Sequence, residues 1–463
     1  MADFFDTASA FVATSIAALR RNRPALSKAL SGLLGDMRRA HVEEAQSVIM
    51  NVRDGTAALT IALGEQLDGL RLRSDVASSV GLELSMALAA SALLGSAAQS
   101  RLGETHEAIA TLDAALLRSR SSKHTSLLQQ AVGVLESIGI DSSGPTQCKR
   151  QRTAASGWPT PQGCSESPLA AFGSQMRKVC ARSSGSQGSD PRVEALIRGA
   201  SEPLVLTGLA SSWPAIRRWA EPKYLHDVAG HRVVPIEIGA AHLEVGGSEE
   251  GVGEQQVLRT LGEFIDEVVL GDRAANEAEG EATTLAPTAI SATVPVTAAG
   301  TRGYLAQHQL FEQIPALAAD LGHPPGVPSD ADRRAWFGPA HVATPVHFDH
   351  HHGLLVQIVG RKRVLLWPPD ARQRLRAPAP DAPLANTASF DPTAFEKLVR
   401  NNVGESVPAA LEARGGPSDD DVAQLRATCV SVELEPGGAV LIPRGWWHYV
   451  TSLSVSFSVS YWW

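Results

Sequence analysis

The apolar stretch LLVQIVGRKRVLLWPP, residues 354–369, constrains the fold of this chain more than any other. Its two apolar runs meet at Gly360 and Arg361, so they predict two strands joined by a tight turn. Because both runs are almost continuously apolar, both faces of these strands must be covered. The final ten residues, SVSFSVSYWW, alternate strictly, as expected of another strand. With further short strands between Gly and Pro turns, the pattern predicts a β-barrel or jelly roll with helices around it.

Composition divides the chain into three parts and gives an α+β class. Residues 1–140 are rich in Ala, Leu, Ser and Glu at helical spacing, which predicts a helical domain, either a bundle or a tetratricopeptide-like repeat. Residues 141–190 are dominated by Ser, Gly, Pro and Gln, which predicts a flexible linker. Residues 191–463 mix strand and helix signals. Within them, the Ala-, Glu- and Thr-rich segment 271–300 is predicted to be a disordered insertion.

Charge and cysteine content restrict the partners and the compartment. The net charge of -8 provides no general attraction for a nucleic-acid backbone, so direct nucleic-acid binding is not expected. The four cysteines include no CxxC pair, which favours a reducing compartment, the nucleus and/or the cytoplasm. The N-terminus lacks a basic leader before its apolar part, which argues against a secretory signal. The apolar run 84–98 is too short to span a bilayer and predicts a buried helix, so no membrane partner is expected.

A candidate metal site begins in the sequence TPVHFD, residues 344–349. His347 and Asp349 lie two residues apart on an extended segment, so their side chains point to the same face. His448 follows a predicted strand, 439–442, and a Pro-Arg-Gly turn. Two histidines and one carboxylate leave other metal positions open, which suits non-haem Fe(II) chemistry.

A run of histidines leaves the choice of ligands open at this point. His350, His351 and His352 follow Asp349 directly, and Asp349 with His351 has the same spacing as His347 with Asp349. Spacing alone favours His347 only slightly. The three extra histidines could equally form a surface cluster without function.

Three longer stretches carry a resemblance to a known family. They are RGYLAQHQLFEQIP, AWFGPAHVATPVHFDHHHGLLVQIVGRKRVLLWPP and PGGAVLIPRGWWHYVTSLSVSFSVSYWW. From about residue 202 to 463 the chain resembles the JmjC-domain oxygenases, and among them the JmjC-only arginyl hydroxylase group, also named the lysine demethylase 8 group. The resemblance implies a double-stranded β-helix of the cupin type that uses Fe(II) and 2-oxoglutarate. It also implies that His347, Asp349 and His448 are the iron ligands.

The resemblance extends to the residues that would hold 2-oxoglutarate. Lys362 matches the family's cation for the distal carboxylate of this cosubstrate, and Tyr304 and Thr344 match positions that hydrogen-bond the same carboxylate. Arg361 and Arg363 should face the opposite side of the strand from Lys362, as solvated turn residues do.

Four further residues are candidates for the substrate pocket. Trp336 and Trp462 match pocket-lining positions, with core packing as the alternative, and Gln307 is placed in the same group. Glu237 matches an acidic residue that faces the substrate arginine in the family. The chain departs from the family at Gly353, where close relatives usually carry Asn.

The resemblance implies hydroxylation of an arginine side chain in a protein or peptide substrate. One alternative is demethylation of methyl-lysine in a histone or another protein. A second alternative is a non-catalytic JmjC binding module. In each case, we expect the N-terminal helices to bind a protein partner.

Overall fold

The structure is a computed structural model. It describes residues 2–43, 46–71, 79–119, 122–137, 157–158, 174–176, 178–181, 191–238, 255–271, 303–382, 384–388 and 417–463. Helices occupy the N-terminal part of these residues, and two β-sheets with short helices occupy the C-terminal part. The predicted α+β class is confirmed.

The N-terminal region contains six helices among the described residues. They are Ala2–Leu19 (α1), Pro24–Glu43 (α2), Gln46–Arg71 (α3), Ser79–Arg101 (α4), Thr105–Arg118 (α5) and Ser122–Ser137 (α6). The helix α4 is apolar on nearly all sides and long enough to cross a bilayer, but most of it is buried inside the protein. A helix that is hydrophobic all round needs such covering, so α4 forms the centre of the helical region. The prediction of a buried helix is confirmed, but the helix extends beyond the apolar run 84–98, so the expectation that it is too short to cross a bilayer is wrong.

The described C-terminal residues and the segment before them form fourteen strands. They are Ser174–Gln175 (β1), Lys178–Cys180 (β2), Leu204–Thr207 (β3), Val233–Ile238 (β4), Gln255–Thr260 (β5), Gly303–His308 (β6), Asp332–Gly338 (β7), Ala343–Phe348 (β8), Gly353–Val359 (β9), Lys362–Trp367 (β10), Val430–Leu434 (β11), Ala439–Ile442 (β12), Trp447–Ser452 (β13) and Ser456–Trp462 (β14).

These strands form two sheets whose inner faces enclose a core. The smaller sheet has the order β1-β11-β10-β13-β8, and the larger has the order β2-β3-β12-β9-β14-β7-β6-β4-β5. Val364 and Val432 of the smaller sheet pack with Leu355 and Val440 of the larger one in a single buried cluster. Every residue of β9 and β10 is buried, which confirms that both faces of this hairpin are covered.

Short helices cover the outer faces of the sheets. They are Pro191–Gly199 (α7), Pro214–Arg218 (α8), Pro222–Ala229 (α9), Leu261–Glu263 (α10), which continues as a π-helix over Phe264–Val269, Leu310–Gln313 (α11), Pro315–Ala318 (α12) and Asp419–Thr428 (α13). Leu425 of α13 packs with Leu365 on the smaller sheet, while Phe264 and Phe311 pack with the outer face of the larger one. The helices thus supply the second cover that the apolar strands require.

Part of the segment predicted to be a linker is ordered. The strand β1 pairs in parallel with β11, and β2 pairs in parallel with β3, so each sheet gains an edge strand. Trp158 donates from Nε1 to the carbonyl of Trp219 at 2.8 Å. The buried apolar residues here, Met176, Val179 and Ala181, are few and stand among polar ones, which is why composition alone did not indicate these strands. The predicted insertion lies outside the described residues, except for Gly271.

Candidate metal centre

The two candidate histidine ligands lie directly opposite each other on neighbouring antiparallel strands. His347 of β8 pairs with His448 of β13, and their ring centroids are 4.2 Å apart. Asp349 follows β8, and its carboxylate oxygens lie 3.8 Å from Nε2 of each histidine. The three ligand atoms lie within 4.8 Å of one another, a spacing that could hold one metal ion.

Hydrogen bonds to the backbone fix the orientation of both imidazoles. His347 Nδ1 lies 2.8 Å from the carbonyl of Pro345, and His448 Nδ1 lies 3.0 Å from the carbonyl of Trp446. A carbonyl can only accept, so each Nδ1 carries the proton and each Nε2 offers a free lone pair to a metal. Burial, together with the nearby His448, lowers the pKa of His347 to about 4. The imidazole of His347 is therefore neutral at physiological pH, as a metal ligand must be.

A glycine turn fixes the position of His448 relative to the other two candidate ligands, His347 and Asp349. Gly445 has a φ of 82°, a conformation that a side chain disfavours. Its N–H donates to the carbonyl of Asp349 at 2.9 Å, so the turn before β13 is fastened to the residue that follows β8. This turn sets where β13 begins and therefore where His448 lies.

The other histidines of the run point elsewhere. His350 and His351 are exposed, and the ring of His352 stacks on Trp463 with centroids 5.9 Å apart. Within the described parts of the chain, only His347 of this run belongs to a cluster with metal-ligand spacing. The geometry therefore favours His347 with Asp349 over Asp349 with His351.

The metal-ligand cluster opens into a pocket with a buried cation. Fourteen residues line it: Tyr304, Trp336, Thr344, His347, Asp349, Gly353, Leu354, Leu355, Lys362, Ile442, His448, Val450, Ser460 and Trp462. Lys362 is 1% exposed, and its Nζ donates to the hydroxyl of Tyr304 at 3.1 Å. No described carboxylate pairs with it, and burial lowers the pKa of Lys362 to about 7. Thr344 adds a buried hydroxyl that has no hydrogen-bond partner.

These groups fit an anionic ligand. A buried ammonium without a counter-ion is unfavourable, and a bound anion would supply the missing negative charge. Burial, followed by the charge of Glu237, raises the pKa of Tyr304, so its hydroxyl stays protonated and can donate to an anion. Arg363, the neighbour of Lys362, pairs instead with Glu433 at 2.7 Å on the adjacent strand. It is buried, so the prediction of a solvated turn residue is wrong for Arg363, because this ion pair lets its charge stay inside the protein. The alternation along β10 thus directs Lys362 alone into the pocket.

Two tryptophans form one wall of the pocket. Trp336 donates from Nε1 to the hydroxyl of Ser460 at 2.8 Å, and its ring meets that of Trp462 edge to face at 6.4 Å. Trp462 lies opposite Gly353, and a Cβ at Gly353 would lie 3.2 Å from the indole, so glycine leaves room for the ring. Sequence reasoning missed Ser460. The strict alternation of the last strand could have revealed it, because Ser460 shares a face with Trp462.

The two remaining candidates differ in their placement. Glu237 on β4 is directly opposite Tyr304 on β6, beside the pocket rather than in its lining. Gln307 is exposed and does not line the pocket. Its φ is 52°, and the pairing register of β6 shifts between Leu305 and His308. A bulge of this kind redirects a side chain, and the sequence alone does not reveal it.

Several known proteins are similar in sequence to the C-terminal region of this chain. Jumonji C domain-containing protein 5 of Drosophila melanogaster is 32% identical over 272 residues, which cover 57% of this chain and 55% of that protein. Lysine-specific demethylase JMJ30 of Arabidopsis thaliana is 32% identical over 266 residues, covering 56% and 49%. Lysine-specific demethylase 8 of Xenopus tropicalis is 31% identical over 268 residues, covering 57% and 48%. The matches therefore span about half the length of these curated relatives.

A comparison of the chain with protein families agrees with the similarity to these relatives. Residues 191–463 match the family described as Cupin-like domain. This range contains both sheets apart from the edge strands β1 and β2, together with the metal-ligand cluster and the pocket. The predicted resemblance to JmjC-domain proteins is confirmed, and the chain belongs to the cupin-like domain family, among relatives named as JmjC proteins.

Proposed function

We propose that this protein is an Fe(II)- and 2-oxoglutarate-dependent oxygenase that hydroxylates a side chain of a protein substrate, with arginine as the first candidate. The observation that carries the proposal is the position of the buried Lys362, in the same pocket as the ligand cluster of His347, Asp349 and His448. A pocket with a metal site and an unpaired cation suits a small ligand that chelates a metal at one end and carries a carboxylate at the other. 2-Oxoglutarate has this chemistry.

The metal would be held by the two Nε2 atoms and the Asp349 carboxylate, a set that suits Fe(II) with positions left open. When bound, the iron supplies the oxidation of 2-oxoglutarate by oxygen and the oxidation of a substrate C–H bond. Lys362 would hold the distal carboxylate by a charge-assisted hydrogen bond, and the hydroxyls of Tyr304 and Thr344 would complete its contacts. The tryptophan wall would exclude water from this end of the pocket.

Arginine as the substrate is supported by Glu237. A carboxylate is the natural partner of a guanidinium, and Glu237 lies directly opposite Tyr304, which lines the pocket. Demethylation of methyl-lysine is the second candidate, because two of the relatives are named lysine-specific demethylases. The two reactions share the metal chemistry and differ in the substrate carbon that is oxidised.

Mass spectrometry of peptides incubated with the full chain, Fe(II) and 2-oxoglutarate distinguishes the two. A gain of one oxygen on an arginine peptide would support arginine hydroxylation. Loss of a methyl group with release of formaldehyde would support demethylation. If neither occurs and 2-oxoglutarate is not converted to succinate with any peptide of a proteome-derived library, the protein is a non-catalytic binding module.

The affinity for 2-oxoglutarate should depend on pH through Lys362. Burial lowers the pKa of this lysine to about 7 in the free protein, and a bound carboxylate would keep it protonated. Above pH 7 the free protein must therefore gain a proton in order to bind. We expect the dissociation constant to rise by about tenfold for each pH unit above 7. Calorimetry with Mn²⁺ in place of Fe(II) measures both the affinity and the proton uptake.

The matched control is Lys362→Met, which keeps an unbranched side chain that is one atom shorter and removes the charge. This variant should bind 2-oxoglutarate more weakly at every pH, without proton uptake at this position. An affinity of the unaltered protein that stays constant from pH 6.5 to pH 9 would contradict the assignment of Lys362.

A further inference from the structure

A buried ion pair joins the helical region to the strand that carries Glu237. Arg232, which directly precedes β4, is 1% exposed, and Asp113 of α5 is fully buried. The guanidinium donates to the Asp113 carboxylate from Nε at 2.7 Å and from Nη2 at 2.9 Å. The same carboxylate accepts from the backbone N–H of Val233 at 3.2 Å. One side chain of α5 therefore holds both the backbone and the adjacent side chain at the start of β4.

Gln313 ties this end of β4 to β6. Its Nε2 donates to the carbonyl of Val233 at 2.8 Å, and its Oε1 lies 2.6 Å from Nε2 of His308, the last residue of β6. Its backbone carbonyl accepts from Arg232 at 2.8 Å. Gln313 is itself only 7% exposed, so water competes little for these bonds.

The hydrogen bonds of Asp113, Arg232 and Gln313 lie at the end of the two strands where β4 and β6 do not pair through their backbones. Among the described residues, the two strands pair at only two positions, Glu237 with Tyr304 and Ile238 with Gly303. Toward the start of β4 the ladder stops, and β6 bulges. Two strands held by backbone bonds at one end only would be free to splay at the other. The side-chain network closes that end.

We propose that Asp113 is a positioning residue for the pocket, through which the helical region fixes β4 against β6 and thereby places Glu237 and Tyr304. Tyr304 is linked in turn to Lys362 by its hydroxyl. A bidentate Arg–carboxylate pair has a defined geometry, and here it is shielded from solvent. It can therefore fix the position of β4 relative to α5 as well as hold the two surfaces together. The part of this proposal that concerns ligand affinity rests on the proposed function.

Hydrogen–deuterium exchange of the full-length Asp113→Asn variant tests the positioning directly. We expect peptides that contain residues 233–238 and 303–308 to exchange at least about tenfold faster, because local opening of the two strands becomes easier. Peptides from β8 and β13 should be unchanged. Unchanged exchange in β4 and β6 would overturn the proposal.

A matched control changes an ion pair that lies wholly inside the helical region. Glu83 pairs with Arg23 at 3.3 Å, and neither residue contacts a strand through this pair. The Glu83→Gln variant should leave the exchange of β4 and β6 at the rate of the unaltered protein. Acceleration equal to that of Asp113→Asn would mean that any weakening of the helices loosens the strands, which also overturns the specific role of Asp113.

Ligand affinity separates positioning from simple stabilisation. With Mn²⁺ bound, Asp113→Asn should weaken 2-oxoglutarate binding by about tenfold at temperatures well below unfolding, because small displacements of pocket residues are costly. Arg232 also donates from Nη1 to the carboxylate of Glu136 on α6 at 2.7 Å, so the whole charge group must be replaced together. The triple variant Asp113→Leu, Arg232→Met and Glu136→Gln removes all three charges, a change that often restores stability. It does not restore the hydrogen bond to Val233. We therefore expect its unfolding temperature to recover while the affinity stays low.

Recovery of the affinity together with stability would show that the interface only supports the fold. If the unaltered protein does not bind 2-oxoglutarate at all, the proposed function fails. The exchange experiment then still decides whether Asp113 positions β4 and β6.

Discussion

Replacing His448 or His347 with alanine is expected to abolish turnover of 2-oxoglutarate and to weaken metal binding by more than about 100-fold. Each imidazole supplies one of three donor atoms that lie within 4.8 Å of one another. The loss of one donor leaves two ligands, too few to hold Fe(II) with its geometry fixed. Succinate formation measures turnover, and titration with Mn²⁺ or Co²⁺ measures metal affinity without oxygen chemistry.

Two neighbouring histidines provide the controls for these substitutions. His350 and His351 are exposed and lie outside the ligand cluster, so His350→Ala and His351→Ala should keep most of the activity and metal affinity. Their exposure also means that neither change should alter folding. If His351→Ala were inactive while His347→Ala remained active, the assignment of ligands would be wrong, and Asp349 with His351 would replace it.

The substitution Gly360→Ala should lower the free energy of unfolding by about 2 to 5 kcal/mol. Gly360 forms the turn between β9 and β10 with a φ of 68°. A Cβ at this position would lie 1.8 Å from the carbonyl oxygen of Val455 and 2.4 Å from Oγ of Ser454. The backbone must move to relieve such overlap. The expected decrease in the midpoint of thermal unfolding is roughly 5 to 15 °C.

A second glycine with the same backbone conformation separates the two contributions. Gly445 has a φ of 82°, but the nearest atom to an added Cβ, on Pro369, is 3.8 Å away. Gly445→Ala should therefore cost only the conformational strain, about 1 to 2 kcal/mol. Equal decreases in the unfolding midpoint for the two variants would show that the close approach of Val455 does not contribute.

Local pattern was sufficient to predict the centre of the fold. The hairpin around Gly360 and the alternating last strand both follow from apolar periodicity, which depends only on neighbouring residues. The same periodicity placed Lys362 and Arg363 on opposite faces, and the structure shows this arrangement. The pairing of His347 with His448 required more, because strand partners distant in sequence are not given by periodicity. The resemblance to a family supplied the choice of ligands, and the pairing of their strands comes from the structure.

The features that sequence reasoning missed depend on tertiary contacts. Asp113 lies among apolar residues of α5, and nothing in its local sequence indicates a buried partner more than a hundred residues away. The bulge that exposes Gln307 arises from a mismatch between two strands, which no single segment encodes. The edge strand β1 pairs with the distant strand β11, while the polar composition of its own segment predicted a linker instead. Each of these three misses concerns a partner that lies outside the local window, whereas Ser460 could have been found from the alternation of its own strand.

The direct pairing of His347 with His448 has a consequence for the order of folding and metal uptake. Roughly a hundred residues of chain separate the two histidines, so bringing them together closes a long loop at a substantial entropic cost. The pairing of β8 with β13 must meet that cost before the ligand set exists. On the proposed function, a metal ion would therefore find all three ligands only after these two strands have paired. By mass action, its binding would then add to the stability of the folded state.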